Sequence, residues 1–302
     1  MMADAGNPRV IAGVPVYNGA EQLAQTLDSL LAQDYPNLEI IVADNASTDG
    51  TEQIGRAYAE QHANLTYVRQ PKNLGAAGNF NYLLREADSE YFFWAGAHDL
   101  WAPRFASSLI AILERDPSLL SAYPAGRFLE QDGTPAERMG QTQSFLNKSA
   151  AVRYIRMVTC RSLYMLYGIF RLEALRRMPS WKHCIGPDLM QVNHLAVRGK
   201  IAGLDEELFY MRRGVDYGSA ARYFANLDIP FTRREVFRQI WTYQRNHVRL
   251  AFMELPWLQA VGVSLVITPI LLVKSLRLYA GLITEVFCPP LMALIRNKVR
   301  CR

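Results

Sequence analysis

Four short apolar runs, each followed by a polar turn or a segment with helical spacing, set the pattern of the first 115 residues. The runs cover residues 10–14, 38–43, 65–69 and 91–95. After the first run, Leu23, Leu27 and Leu30 recur at the three- and four-residue spacing of an amphipathic helix. Strands that alternate with helices through short loops are joined by right-handed crossovers. This half therefore predicts an α/β, Rossmann-like fold with a mostly parallel sheet flanked by helices.

Polar side chains follow these strands at the points where the strands end. Tyr17 and Asn18 follow the first run, Asp44 follows the second, and His98 and Asp99 come shortly after the fourth. In an open α/β sheet, ligands bind in the crevice outside the carboxyl ends of the strands. A carboxylate at the end of a buried strand also needs a cation, a donor or a substrate to offset its burial. The sequence therefore predicts a ligand site at this edge.

The composition indicates one large domain with an appendage. The chain has 302 residues, half of them hydrophobic, which argues against disorder. Its four cysteines show neither CxxC nor metal-type spacing, so we expect a reducing compartment without a disulfide framework. The N-terminus lacks the basic and apolar regions of a signal peptide, which predicts a cytoplasmic main domain.

The positive charge is concentrated beyond residue 255. Of 33 basic and 28 acidic residues, six and one lie there, so the preceding part of the chain is neutral. This neutral part shows no basic aromatic face in the sequence, so we expect no nucleic-acid partner, whereas a basic, apolar tail is typical of a membrane surface. Pro269, Lys274 and Arg277 interrupt the apolar stretch 257–295. The stretch fits in-plane interfacial helices, an inserted hairpin or ordinary buried helices.

The pattern after residue 115 is less regular. Thr232 and Glu235 have the form of a capping box, which predicts a long helix to about Glu254. We expect a first domain over residues 1–222 and a helical, basic, membrane-associated region over 223–302. Within the first domain we expect a strand near 121–123, loops over 126–140, an extended segment over 163–171, a helix over 189–197 and a strand over 201–204.

Four motifs, taken in their order and spacing, resemble glycosyltransferase family 2. They are Pro15-Val16-Tyr17-Asn18, Asp44-Asn45-Ala46-Ser47-Thr48-Asp49-Gly50-Thr51, Asn73-Leu74-Gly75 and, after a hydrophobic strand, His98-Asp99-Leu100-Trp101-Ala102-Pro103. The resemblance is strong over residues 9–115, weaker to about Arg213 and does not cover the tail. It implies a GT-A fold with a nucleotide-sugar half over 9–115 and an acceptor half over 116–222. The activity implied is inverting transfer of a sugar from a nucleotide-diphosphate sugar to an acceptor hydroxyl.

The resemblance implies a nucleotide-sugar site in the loops after the first strands. In the family, the acid at the position of Asp44 accepts hydrogen bonds from the nucleobase. The alternative is that Asp44 only closes an Asx turn with Ser47 or caps the next helix. The family often carries Arg just before the position of Asn81, where this chain has Phe80. The alternative for residues 15–18 is a plain turn, and for Asn73, Gly75 and Asn81 it is helix capping. The alternative for Arg212 and Arg213 is an exposed basic strand end. The residues carried over are Pro15, Val16, Tyr17, Asn18, Asp44, Asn73, Gly75, Asn81, Arg212 and Arg213.

The metal motif of the family is altered in this chain. Its Asp-x-Asp pattern falls on Gly96-Ala97-His98, so the first carboxylate is missing and the second is an imidazole, with Asp99 next in sequence. His98 and Asp99 would hold a divalent cation together with the donor phosphates, and an imidazole ligand favours Mn²⁺ over Mg²⁺. One alternative is a dispensable cation, with Arg212 or Arg213 stabilising the phosphates. The other is that His98 only caps the next helical region.

A second acidic motif points to the general base. Ile185-Gly186-Pro187-Asp188 resembles the family's acidic pair, often Glu-Asp, at a helix start in the acceptor half, although Pro187 replaces the Glu. The resemblance therefore implies that Asp188 takes the proton of the attacking hydroxyl. The alternative is that Asp188 serves only as a helix N-cap.

The basic, apolar tail indicates where in the cell such an enzyme would act. We expect cell-surface polysaccharide or glycolipid synthesis, with a glycan or lipid-linked acceptor, by a peripheral or monotopic protein at the inner face of the plasma membrane. The sequence favours no oligomeric state. One alternative is a polyprenyl-phosphate sugar synthase of the same family, in which an acceptor phosphate attacks without a strong base. Another is a subunit that binds a nucleotide sugar or glycan without turnover.

Overall fold

Nine strands form one sheet in the computed structural model, which describes residues 6–160, 164–179, 186–213, 224 and 229–278. The strands are β1 (Val10–Val16), β2 (Leu38–Asp44), β3 (Leu65–Arg69), β4 (Tyr91–Trp94), β5 (Leu100–Trp101), β6 (Leu119–Leu129), β7 (Pro135–Arg138), β8 (Ile169–Arg171) and β9 (Lys200–Arg212). The helices are α1 (Leu23–Leu31), α2 (Thr51–Gln61), α3 (Gly75–Glu86), α4 (Phe105–Arg115), α5 (Ala150–Thr159), α6 (Leu172–Arg176), α7 (Pro187–Arg198), α8 (Arg233–Glu254) and α9 (Trp257–Leu278).

The first half of the sheet is parallel, in the order β3-β2-β1-β4, which confirms the mostly parallel, Rossmann-like sheet expected from the sequence. β1 is buried along nearly its whole length, as a strand covered on both faces must be. The parallel register sets Val16 beside Asp44, and Asp44 beside Arg69. The carboxyl ends of β1, β2 and β3 therefore meet at one edge.

The second half of the sheet is mixed, in the order β4-β8-β6-β9-β5. The long strands β6 and β9 pair in parallel with several register shifts. β5 pairs antiparallel with the end of β9, so that Leu100 lies beside Tyr210. This pairing brings the turn before β5 against the last residues of β9.

The irregular part of the chain departs from its expected elements. Within residues 164–171, the backbone is extended only from Ile169, because Tyr164–Tyr167 form a 3₁₀ turn that buries Met165. A short apolar run does not distinguish such a turn from a strand. The loop expected over 126–140 instead contains a hairpin, since β6 continues to Leu129 and pairs with β7. The strand expected over 201–204 continues to the end of β9, because pairing with β6 extends it.

Alternate residues of β1 enter two apolar clusters, one on each face of the sheet. Val10, Ala12 and Val14 pack with side chains of α1 and α4, whereas Ile11 packs with the cluster that contains Leu83 of α3. Burying a large aliphatic or aromatic side chain contributes about 1.5–3 kcal/mol. The two clusters hold β1 in place, and with it the edge where the candidate site residues lie.

The two C-terminal helices differ in how well the sequence predicted them. α8 begins at the expected capping box, where Thr232 Oγ1 accepts a hydrogen bond from the Glu235 backbone N–H at 3.2 Å. α9 continues as a helix through Pro269 and Lys274, two of the residues that interrupt its apolar stretch in the sequence. Lys274 Nζ donates to the carbonyl oxygen of Cys160 at 2.6 Å, just past the end of α5, where a cation stabilises the helix terminus.

One face of α9 packs against α5 and α8. Its buried residues recur at helical spacing and are Ala260, Val263, Ile267 and Leu271. Among the described residues, the stretch Trp257–Lys274 has the length and apolarity to cross a bilayer, with a mean hydropathy of 1.7, and 22% of it is buried against the rest of the chain. The appendage is therefore an apolar helix attached to the main part along one face.

A buried histidine beneath these helices makes the fold sensitive to acid. The Tyr154 hydroxyl lies 2.9 Å from both Nδ1 and the carbonyl oxygen of His247, which is fully buried. Burial lowers the pKa of His247 to about 3, and that of His194 on α7 to about 4. The unfolded chain takes up these protons below about pH 6.5, whereas the folded chain does not. The contribution of these two histidines to the free energy of unfolding is therefore fully present above about pH 6.5 and is lost as the pH drops from there toward 4.

Urea unfolding between about pH 7.5 and 5 measures this loss of stability. We expect His247→Gln to reduce the pH dependence, because the new side chain takes up no proton. The half-buried His62 at the end of α2 supplies the control, and His62→Gln should keep the wild-type slope. Equal slopes in wild type and both variants would contradict the assignment to His247.

Candidate active site at the carboxyl edge of the sheet

Side-chain hydrogen bonds join the loops after β1 and β2. The backbone N–H of Asn18 donates to Ser47 Oγ at 2.9 Å, and the Asn18 Oδ1 accepts from the Thr48 N–H at 2.8 Å. Asn18 and Ala46 have φ values of 51° and 61°, so both loops turn through the left-handed region. Next to them, the Tyr17 side chain is 51% exposed at the edge. These contacts give the first two loops a fixed relative position without blocking the edge.

Asp44 is fully buried at the end of β2 and is held by three donors. Its Oδ1 accepts from the Ser47 N–H at 2.9 Å, which is the Asx turn weighed above. Its Oδ2 accepts from the Tyr67 hydroxyl at 2.6 Å and from Arg69 Nη1 at 3.2 Å. Asp44 thus anchors a cluster with the two β3 side chains, which are partly exposed.

Sequence reasoning missed Tyr67 and Arg69. Residues two apart on a strand share a face, and the parallel register places Arg69 beside Asp44. The sequence could therefore have predicted that Tyr67 and Arg69, at the end of the strand next to Asp44, contact its carboxylate. The Asp44 carboxylate also raises the pKa of Tyr67, although burial is the larger cause.

The third loop joins the same edge through two asparagines. Asn45 Nδ2 donates to Asn73 Oδ1 at 2.8 Å, and Asn45 Oδ1 accepts from the Leu74 N–H at 2.8 Å. Asn73 Oδ1 also accepts from the Gly75 N–H, at the start of α3. Asn81 lies further along α3, and its side chain is half-buried. Of the carried-over loop residues, the structure thus brings Asn73 and Gly75 to the edge formed by the first two loops.

Asp99 is the most unusual acid in the described part of the chain. It is 1% exposed in the turn between β4 and β5, and Oδ1 accepts from the Arg212 backbone N–H at 3.1 Å. Its Oδ2 is buried and has no hydrogen-bond partner among the described residues. Burial raises the pKa of Asp99 to about 8, and the N–H and charge of Arg212 oppose that rise. A buried carboxylate without a full set of donors lowers the stability of the fold, and such groups are concentrated at functional sites.

Arg212 fixes the turn that carries His98 and Asp99. Its guanidinium donates to the carbonyl oxygens of His98 at 3.2 Å and Gln131 at 3.0 Å, and to Gln25 Oε1 at 2.6 Å. These bonds tie β9 to α1 and to the β6–β7 hairpin. Burial, with a smaller effect from the positive charge of Arg212, lowers the pKa of His98. The imidazole is therefore neutral near pH 7 and able to act as a ligand.

Arg213 points away from this cluster. Successive side chains of a strand face opposite sides, so Arg212 and Arg213 at the end of β9 separate. The Arg213 guanidinium pairs with Glu130 and Glu137 and lies 4.9 Å from the centre of the Phe128 ring. The structure therefore brings Arg212, and not Arg213, to Asp99.

A small residue at position 96 makes room for the Asp99 carboxylate. A Cβ atom at Gly96 would lie 2.7 Å from Asp99 Oδ2, which is closer than real Cβ contacts allow. Glycine at the first position of the motif therefore leaves the space that the buried Asp99 carboxylate occupies. Any side chain at position 96 would therefore force Oδ2 of Asp99 to move.

We therefore expect Gly96→Asp to lower both activity and the melting temperature, although it rebuilds the family motif. Gly6→Asp adds the same charge where a Cβ meets nothing within 4 Å, and it should leave both quantities unchanged. Steady-state kinetics and thermal unfolding of the two variants give the comparison. A Gly96→Asp protein with higher activity than wild type would show that the turn has room for both acids.

His98 and Asp99 are close enough to bind one divalent cation together. Nε2 of His98 and Oδ1 of Asp99 are 3.7 Å apart, which is within the about 4.2 Å that two ligands at about 2.1 Å from one ion can span. The Asp99 Oδ2, which has no partner among the described residues, would add an oxygen ligand. Within the described residues, no group of three or more His, Cys, Asp or Glu side chains is arranged to hold an ion. Phosphate oxygens and water would therefore have to complete the coordination.

Asp188 lies in the first turn of α7, on a different element from the edge loops. Gly186 precedes the helix with φ of 61°, and a Cβ there would lie 3.3 Å from Tyr243 of α8. The Asp188 side chain is half-buried. Burial raises the pKa of Asp188, while the N–H groups of Leu189 and of its own residue oppose the shift. The raised pKa suits a proton acceptor, and the helix position also fits the N-terminal role weighed above.

Comparison with known proteins agrees with these features. The sequence profile described as glycosyl transferase family 2 matches residues 12–172, more than half of the chain. The uncharacterized glycosyltransferase RT0329 of Rickettsia typhi is 36% identical over 115 residues, which cover 38% of this chain and 35% of that protein. TuaG of Bacillus subtilis, named provisionally as a teichuronic acid biosynthesis glycosyltransferase, is 30% identical over 132 residues, or 43% of this chain and 52% of that one. The matches thus span about a third to a half of these relatives.

Solved structures share the fold at low sequence identity. The complex of S. aureus TarS 1–349 with UDP-GlcNAc superposes with a TM-score of 0.61 and 19% identity, covering 85% of this chain and 70% of that one. The mannosyltransferase PcManGT of Pyrobaculum calidifontis, solved with GDP-Man and Mn²⁺, gives a TM-score of 0.55 and 20% identity, covering 98% and 81%. Fold, profile and edge motifs agree: this chain has a GT-A fold and belongs to glycosyltransferase family 2.

Proposed function

We propose that this glycosyltransferase moves a sugar, with inversion, from a nucleotide-diphosphate sugar to an acceptor hydroxyl. The observation that carries the proposal is the buried Asp99 carboxylate beside His98, with Oδ2 unpartnered among the described residues. Retaining such a group costs stability, so its presence supports a ligand that completes its coordination. The turn lies at the sheet edge where α/β folds bind ligands.

The donor would lie along the loops after β1, β2 and β3. The nucleobase would meet the cluster of Asp44, Tyr67 and Arg69, which offers acceptor and donor groups at the end of the sheet. The loops 15–18 and 73–75 would line the ribose and phosphates. Support comes from the shared fold of TarS and PcManGT, which were solved with UDP-GlcNAc and GDP-Man.

His98 and Asp99 would hold a divalent cation, with Mn²⁺ favoured over Mg²⁺ by the imidazole ligand. When bound, the ion would neutralise the negative charge of the departing diphosphate. Arg212 would keep both ligands in place through its bonds to the His98 carbonyl and the Asp99 carboxylate. Arg213, which is paired with two glutamates, would contribute little to the phosphates.

Asp188 would remove the proton from the acceptor hydroxyl as it attacks the anomeric carbon. A base whose pKa is raised by burial is better matched to proton transfer near neutral pH than an ordinary aspartate. In-line attack from the side opposite the diphosphate inverts the anomeric configuration. A carboxylate on the acceptor half suits this role because it is separate from the donor loops.

We further propose that the acceptor is a cell-surface glycan precursor or glycolipid, reached from the cytoplasmic side of the membrane. Support comes from the relative named for teichuronic acid biosynthesis. The apolar helix α9 adds to that support. A polyprenyl phosphate acceptor is the competing case, and it is distinguished by the dependence on Asp188 described in the Discussion.

The test is turnover of a panel of UDP-, GDP- and dTDP-sugars by the full chain, with detergent-dispersed membrane lipids as acceptor. We expect release of nucleoside diphosphate from at least one donor with Mn²⁺, less with Mg²⁺ and little with EDTA. NMR of the product should show the anomeric configuration opposite to that of the donor. Undiminished turnover in EDTA would remove the cation from the proposal, and a retained configuration would remove the inverting mechanism.

A further inference from the structure

The outer face of α8 exposes aromatic and arginine side chains together. Phe237 and Trp241 are 63% and 72% exposed, and Phe252 lies on the same helix at 50%. The exposed arginines of this helix are Arg233, Arg234, Arg238, Arg245 and Arg249. The two acids of α8 are both paired, since the buried Glu235 pairs with Arg238 and Glu254 pairs with Arg198, so Arg238 adds little positive charge to the face. No acidic side chain is therefore exposed on the described length of α8.

The outer face of α9 is almost entirely apolar. Trp257, Leu258 and Leu265 are 69%, 68% and 74% exposed, and Leu272 and Val273 continue the face at about half exposure. Exposed apolar areas of this kind are uncommon on the surface of a soluble protein and mark interaction sites. The helix carries no acidic residue between Trp257 and Leu278.

The two outer faces belong to one surface. The inner faces of α8 and α9 enter the same apolar cluster, with Tyr243 and Leu250 from α8 and Val263 and Ile267 from α9. Both helices therefore turn their exposed residues away from this shared core. The combined surface has arginines and aromatic rings on α8 and a large apolar area on α9. The α8 face corrects the expectation that this part of the chain has no basic aromatic face.

We propose that this α8–α9 surface docks in the plane of a bilayer that contains anionic lipids. Arginines attract the headgroups, tryptophan and phenylalanine favour the interfacial region, and the apolar face of α9 enters the acyl boundary. The charge and the apolar area complement such a surface, whereas an acidic protein partner would leave the α9 face uncovered. Docking does not require the helices to leave the fold.

The packing of α9 argues against a membrane-spanning arrangement. A spanning helix would have to withdraw Ala260, Val263, Ile267 and Leu271 from the core, and Lys274 from its bonds beyond α5. In-plane docking keeps all of these contacts. α8 also packs on α7, which carries Asp188 in its first turn. If the proposed function holds, docking would bring the acceptor half close to lipid-linked substrates.

Vesicle binding of the full chain tests the surface independently of catalysis. Arg245→Glu with Arg249→Glu should weaken binding to phosphatidylglycerol vesicles about tenfold or more. Arg104→Glu with Arg115→Glu, at the two ends of α4, makes the same charge change and should leave binding unchanged. Trp241→Ser should weaken binding without removing its salt dependence. Removing residues 256–302 is a poorer test, because it also uncovers the core beneath α9.

Five outcomes decide the proposal. Preference for phosphatidylglycerol over phosphatidylcholine, lost in the α8 double variant and kept in the α4 control, supports it. Equal binding by both double variants would overturn it, as would the absence of vesicle binding by wild type. Bound protein that resists carbonate extraction, with the α8 variants bound as tightly as wild type, would show a spanning α9 instead. Tryptophan emission shifted to the blue in wild type and reduced in Trp241→Ser would support in-plane docking.

Discussion

Replacing Asp99 with asparagine is expected to lower kcat/KM for sugar transfer about 100- to 1,000-fold, a loss typical of removing one group that stabilises developing charge. Asparagine has nearly the same shape and retains an acceptor for the Arg212 N–H. It lacks the charge that would hold a cation beside His98. The same change should keep or raise the melting temperature, because it removes a buried carboxylate whose Oδ2 has no partner among the described residues.

The combination of lost activity and unchanged or improved stability identifies a functional group rather than a structural one. Steady-state kinetics and thermal unfolding of the same preparation measure both effects. Asp88→Asn is the matched control, because Asp88 is 95% exposed on its side chain and outside the site. Full activity in the Asp99 variant, or a large loss of stability with it, would contradict the role assigned to Asp99.

Replacing Asp188 with asparagine is expected to lower kcat for transfer to a hydroxyl about 100- to 10,000-fold, the range supplied by a general base. The KM for the donor should change little, because Asp188 lies on α7 and not on the donor loops. With saturating Mn²⁺, which would keep Asp99 ionised, the wild-type rate should rise with pH as Asp188, whose pKa burial raises, loses its proton. That rising limb should disappear in the variant.

The same substitution separates the two kinds of acceptor. An acceptor phosphate is already charged and attacks without a base, so its transfer rate should fall only a few-fold. The Asp88→Asn protein again serves as control, and its pH profile should match wild type. If Asp188→Asn keeps kcat for a hydroxyl acceptor within a few-fold of wild type, and its rate still rises with pH, then Asp188 is not the general base. Its role would then be only that of an acid at the start of α7.

The parallel half of the fold was predictable because its signals are local. A buried parallel strand is a continuous apolar run, as β1 and β2 are, and each is followed by a helical period. The β6–β9 pairing joins segments about 80 residues apart, and no local period records such a partner. The sequence therefore located the strand near 201–204 but did not predict its continuation to Arg212.

For the candidate site too, the sequence predicts the local features but not the contacts between distant segments. The positions of Asp44 and Asp99 after their strands could be predicted, because motif and strand end coincide. Their surroundings could not, since Tyr67 reaches Asp44 from β3 and Arg212 reaches Asp99 from β9. The same limitation left Arg212 and Arg213 equivalent in the sequence. Which of them faces Asp99 depends on the strand register.

Titration of nucleotide sugars into the full chain with Mn²⁺, followed by calorimetry, tests the central claim most directly. The account predicts saturable binding of at least one UDP-, GDP- or dTDP-sugar, much weaker binding by Asp99→Asn, and unchanged binding by Asp188→Asn. Binding that is the same in wild type and Asp99→Asn, or no binding of any donor in the panel, would contradict a nucleotide-sugar site at this edge of the sheet.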